Sequence, residues 1–236
     1  MMRLFITDTE TNGLTADDQV CEIAATLYQI GDSEENTGAI ASVSTLVPVI
    51  SNNVMFVNGI SPKLSQAAEK NNNSCDCQNL MQQMAMASDY CVAFNAEFDA
   101  PYVKKLLDLK ENPPWLCAMK DFDWQYPNIK ANGSFKLTDL ALWMGIGIST
   151  VHRAGDDVRL LVECLNRQPY QRLEKMMDVA IARLASPIVE IRALVSYENR
   201  ELAKTAGFIW NPQRRQWVKK IRECDIGEFP FEILIA

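Results

Sequence analysis

The chain has one histidine, no run of about 20 apolar residues, and no close cysteine pair backed by a second. Without such a run nothing in it reads as a membrane-spanning helix. The apolar stretch after Met1-Met2-Arg3 is too short for a secretory signal, so a cytoplasmic location, with no membrane partner, is the expectation. Seven cysteines is an odd number, and in that setting they read as reduced, mostly buried apolar residues. Cys75-Asp76-Cys77 is the one close pair, and it lacks the second pair or nearby histidine that zinc requires. A positive excess is missing too. The net charge of −7 argues against a protein that coats nucleic acid by bulk electrostatics. It does not exclude a nucleic-acid enzyme whose charge is segregated. Residues 187–222 hold eight cations against three carboxylates, an excess of five.

What is present is ordinary for a globular protein: 48% apolar and 22% charged residues in 236, enough for one sizeable core and a small appendage. Arg3 to Asp8, Val20 to Ile30 and Ala39 to Val49 read as strands of an antiparallel meander. Glu22 interrupts the second and is expected at the surface. Ser61-Pro62 opens a short helix. Glu69 to Asn79 is polar and aperiodic and reads as a flexible loop, followed by a helix from Leu80. Strand Tyr90–Phe94, a helix ending near Leu109, strand Trp115–Cys117, helix Leu137–Met144 and a helix from about Asp156 follow. The expected fold is α/β, a mixed sheet flanked by helices over residues 1–168. A connecting helix (169–186) and a small α+β unit (187–236) complete the chain.

The first strand ends in Asp8-Thr9-Glu10. Alternation sends residues i and i+2 to one face, so two carboxylates point the same way. They repel unless a cation sits between them, which suits a divalent-metal site. Asp99 follows the strand Tyr90–Phe94 at a helix start. His152-Arg153-Ala154-Gly155-Asp156-Asp157 is a third cluster. In one continuous helix His152 and Asp157 would lie on different faces. A break at Gly155 lets both converge, with Asp156 as a cap or first-turn residue.

The stretches Asp8–Leu14, Val92–Asp99 and His152–Asp157, in this order, resemble the motifs of the DEDDh group of 3′–5′ exonucleases in the ribonuclease-H-like superfamily. The resemblance covers roughly residues 1–168. It implies a ribonuclease-H-like sheet and two Mg²⁺ or Mn²⁺ ions held by Asp8, Glu10, Asp99 and Asp157, with His152 as general base. It places Thr9, Thr11, Gly13 and Leu14 around the terminal nucleotide and Asn95 and Phe98 across the pocket. The implied substrate is a nucleic acid with a free 3′ end, DNA more than RNA, and the implied protein partners are polymerases or repair proteins. The oligomeric state stays open. Phe94 and Asn58 depart from the pattern, since histidine is frequent at both positions. An exoribonuclease of the ribonuclease T or oligoribonuclease kind is the alternative activity, and a non-cutting binding module the alternative class. The small unit interleaves Trp210 and Trp217 with cations. The tryptophans are expected to pin its hairpin to its helix, and the cations to meet nucleic acid.

Overall fold

The computed structural model describes residues 1–13, 15, 17–69, 73–110, 113–130, 133–149 and 152–235. It divides into two compact units, Met1–Asp178 and Val179–Ala236.

In the first unit β1 (Met2–Thr11) pairs antiparallel with β2 (Val20–Ile30), which pairs antiparallel with β3 (Gly38–Leu46). Short helices α1 (Met55–Asn58) and α2 (Pro62–Ala67) follow, then the longer α3 (Asn73–Met86). Next come β4 (Tyr90–Ala93), α4 (Ala96–Leu106), β5 (Trp115–Cys117), α5 (Ala118–Asp121), α6 (Leu137–Trp143) and α7 (Ala154–Asn166). The sheet order is β3-β2-β1-β4-β5, with β4 and β5 parallel to β1. The molecule is therefore a mixed α/β protein. Phe5, Ile23 and Ala25 face α3 and α4, packing on Met81, Met84 and Val103. The opposite face carries Leu4, Ile6 and then Asp8 and Glu10, and α7 packs on β1 and β2. Parallel neighbours β1 and β4 deliver their C-terminal ends to one edge, which brings the Asp8–Glu10 stretch and the start of α4 together.

Two expectations need correction. Residues 73–79 are helical, part of α3, where the sequence reads as loop; residues 70–72 lie outside the described set. The helix start is weak in propensity, but Ser74 is buried and its hydroxyl donates to the Leu46 carbonyl at 2.9 Å. Burial of Met81, Met84 and Ala85 supplies the remaining stabilisation, so packing overrides propensity. Glu22 is not a surface residue: it is 3% exposed. At α2 the expectation holds, with the Ser61 hydroxyl accepting from the Leu64 N–H at 3.1 Å and proline at the first position.

Helix α8 (Tyr170–Ala185) leads into the second unit, where β6 (Ile188–Leu194), α9 (Arg200–Thr205), β7 (Ile209–Asn211), β8 (Gln216–Arg222) and β9 (Glu232–Ile235) form a sheet ordered β7-β8-β6-β9. Its core is Ile191, Ala193, Ala203 and Phe208, with Trp217, Phe229 and Phe231 packed against them. Over Val179–Ala236 the cation excess is two, because four carboxylates follow residue 222. Among the described residues no helix is long and apolar enough to cross a membrane.

Candidate active site

Asp8, Glu10 and Asp157 each offer a carboxylate oxygen, and these oxygens lie within 4.8 Å of one another. The strand supplies two of the groups through its alternation; α7, packed on that face, supplies the third. A cavity of about 430 Å³ opens beside them, lined by Asp8, Asp157, His152, Phe94, Lys136 and Thr138. His152 is exposed, with left-handed backbone at φ 59°, and the next residue, Arg153, is the extended N-cap of α7. The chain therefore turns at His152–Arg153, not at Gly155. Gly155 is helical and serves another need: a Cβ there would come within 3.3 Å of the Ser44 hydroxyl oxygen, so glycine lets α7 approach β3. Asp156 lies in the first turn of α7.

Asp99 is buried in the first turn of α4 and falls outside the three-carboxylate cluster. Its Oδ1 accepts from the Thr9 backbone N–H at 3.0 Å and the Thr9 hydroxyl at 2.8 Å. Thr9 thus orients a carboxylate with its hydroxyl, where the sequence expects it against a nucleotide. Thr11 is likewise buried, and its hydroxyl donates to the Gly13 carbonyl at 2.6 Å. Gly13 is packed against the Asp18 carboxylate, which a Cβ at this position would meet. Leu14 lies outside the described residues. Asn95 is exposed at the N-cap of α4, and Phe98 is half-buried, its ring 5.3 Å from that of Tyr102. Of the two departures, Phe94 lines the cavity and meets Phe135 edge-on at 5.4 Å. Asn58 is buried, and its amide donates to the Thr11 carbonyl at 3.1 Å while its Oδ1 accepts from the Ile60 N–H at 3.1 Å. It ties the end of β1 in place.

Glu22 is the residue that sequence reasoning missed. It stands directly across from Glu10 in the β1–β2 register, on the same face. Opposed like charges destabilise a sheet, and here Arg153 answers them: its Nε and Nη2 each reach a Glu22 oxygen at 2.8 Å. Glu22 also accepts from the Ala154 N–H at 3.1 Å, capping α7 from a neighbouring strand. The signal was available, since a carboxylate inside an apolar strand is out of place unless something charged packs on it. Because Glu22 sets the start of α7, it sets the position of Asp157. Glu22→Ala should lower stability by about 2 kcal/mol, with charged hydrogen bonds lost, and weaken Mn²⁺ binding about 10–100-fold. Denaturant melts and a Mn²⁺ titration check both; unchanged values would remove Glu22 from the site's support.

Burial and mutual repulsion hold the carboxyls above the ordinary range. Desolvation, then Asp99, Asp157 and Glu10, raise Asp8 well above it. Desolvation and then Asp157 push Glu10 to about 7. Asp99 reaches about 7 through desolvation, against the two bonds from Thr9, and Asp157 reaches about 6 through desolvation, with His152 opposing. An acid whose folded value is raised binds its proton more tightly folded than unfolded. The stability gained is full below about pH 4, where the unfolded groups protonate, and is lost as pH rises through 6 to 7. Without divalent ions, this contribution to the melting temperature should therefore fall between about pH 4 and 7, by about 5 °C or more. Adding Mn²⁺ should restore it at the upper pH and change it little at the lower. Scanning fluorimetry reads this; a flat profile insensitive to Mn²⁺ would contradict it.

By fold and site this is a mixed α/β protein with a carboxylate cluster at the C-terminal end of its central strand. Residues 189–235 match a family model described as a domain of unknown function (DUF8626). No curated protein matches the chain.

Proposed function

We propose that residues 1–168 form a DEDDh-type 3′–5′ exonuclease with a ribonuclease-H-like sheet. It would hydrolyse the terminal phosphodiester of a single strand, DNA in preference to RNA, and release nucleoside 5′-monophosphates. The observation that carries this reading is the convergence of Asp8, Glu10 and Asp157 within 4.8 Å, with His152 on the same cavity wall. A sheet of three antiparallel strands continued by two parallel ones is compatible with that fold.

The donor set fits Mg²⁺ or Mn²⁺: it is all carboxylate oxygen, hard in character, and its neighbouring charges lift the proton affinities in the absence of a cation. Asp8, Glu10 and Asp157 would hold the ions, with Asp99, oriented by Thr9, completing the set. When bound, two ions neutralise the phosphodiester and stabilise the attacking and leaving oxygens. The protein does the rest. Phe94 offers a ring to the sugar or base, and Lys136 offers a cation to a phosphate. His152 takes the proton from the attacking water on an imidazole nitrogen, and its exposure leaves that proton free to pass to solvent.

The test uses single strands labelled at the 5′ or 3′ end, as DNA and as RNA, with Mn²⁺ and then EDTA. The 5′-labelled strand should shorten stepwise and the 3′-labelled strand should lose its label as a mononucleotide. EDTA should stop both. Intact strands in Mn²⁺ would mark a binding module instead, and faster loss of RNA would mark an exoribonuclease.

A further inference from the structure

The second unit carries a groove of about 850 Å³, within the range of about 300–1,000 Å³ that suits organic ligands. Its walls include Tyr197, Arg200, Trp210, Arg215, Gln216 and Trp217, and no carboxylate is among the described residues that line it. Trp210 and Trp217 are cross-strand partners on β7 and β8, with rings 5.6 Å apart. Their fates differ. Trp217 packs on the small core, as the sequence reading expects, whereas Trp210 stays 45% exposed. Tyr197 is 79% exposed, and the Arg200 guanidinium lies 4.1 Å above its ring, held by a 2.9 Å bond to the Tyr197 carbonyl. Arg215 stands exposed at the hairpin tip in left-handed backbone, φ 52°, and makes no ion pair among the described residues. The tip is shaped by Asn211, whose Oδ1 accepts from the Gln213 and Arg214 N–H groups at 3.1 Å.

Flat aromatic faces beside two arginines, Arg215 with no ion pair among the described residues and Arg200 with only the exposed Glu201 carboxylate at 4.0 Å, match a ligand that alternates flat rings with anions. We propose that this groove binds single-stranded nucleic acid. Bases stack on the free face of Tyr197 and on Trp210, while Arg200 and Arg215 contact flanking phosphates. Stacking accepts any base, so recognition is tolerant of sequence. A proline-rich peptide would use the aromatics but leave both arginines idle. The inference rests on the second unit alone and holds whether or not the carboxylate cluster cuts.

The experiment uses the full chain with Asp8→Asn, in EDTA, so that no strand is degraded. Fluorescein-labelled 20-mers of oligothymidylate and oligouridylate are titrated by anisotropy over a salt series. Trp210→Ala and Tyr197→Ala should each weaken binding about five- to a hundredfold, and Tyr197→Phe should retain it. Arg215→Ala should lower the slope of log affinity against log salt by about one. All three substituted side chains are exposed or half-exposed, and circular dichroism should be unchanged. A parent protein that binds neither strand at low salt overturns the proposal, and so do alanine variants that bind as the parent does.

Discussion

Asp8→Asn is expected to abolish strand shortening, by at least about 10²-fold, while making the metal-free protein more stable at pH 7.5. The first effect follows because the group would hold the metal, and even outer-shell changes cost about 10–100-fold. The second follows because Asp8 is desolvated and faces Asp99, Asp157 and Glu10, so its charge is costly without a cation. A variant that loses activity by misfolding would lose stability as well. The opposite signs of the two effects therefore separate a metal-site role from a structural one. An Asp8→Asn protein that shortens strands at the wild-type rate would end the exonuclease reading, and one that melts well below wild type would make Asp8 a packing residue.

The sequence made the main strands legible because they are long, apolar and patterned, and it made the carboxylates legible because Asp8 and Glu10 interrupt that pattern. Alternation alone put both on one face, and the register agrees. It could not reveal what depends on contacts distant in sequence. Glu22 looked like a solvated position because its partner, Arg153, lies 131 residues away. Thr9 looked like a pocket residue because nothing local says that its hydroxyl points at Asp99, 90 residues on. The start of α3 looked like loop because its residues are poor helix formers held by burial. Glycine at position 155 suggests a turn that the His152–Arg153 backbone makes instead. In each case a tertiary contact decided what a local signal could not.

His152→Ala should reduce turnover about 10²–10⁴-fold and leave Mn²⁺ affinity nearly unchanged. The imidazole stands on the cavity wall with Asp8 and Asp157 but is not one of the three clustered donors. It can therefore act on water without holding metal. The separation is measurable: single-turnover rates report the proton transfer, and calorimetric Mn²⁺ titration reports the ligands. Loss of Mn²⁺ binding in His152→Ala would make the residue a ligand, and an unchanged rate would leave the reaction without its base. The same variant should also raise the proton affinity of Asp157, because His152 is the group that opposes its desolvation.

The most direct measurement of the central claim is the identity of the product and the origin of its oxygen. A short unlabelled DNA strand is treated with the protein and Mn²⁺ in ¹⁸O-enriched water, and the released material is resolved by mass spectrometry over time. Water attack at phosphorus, with the 3′ oxygen of the shortened strand leaving, predicts nucleoside 5′-monophosphates that each carry one ¹⁸O. They should appear in order from the 3′ end, and Asp8→Asn should yield none. Nucleoside 3′-phosphates, internal fragments ahead of mononucleotides, or the same products from Asp8→Asn would contradict it.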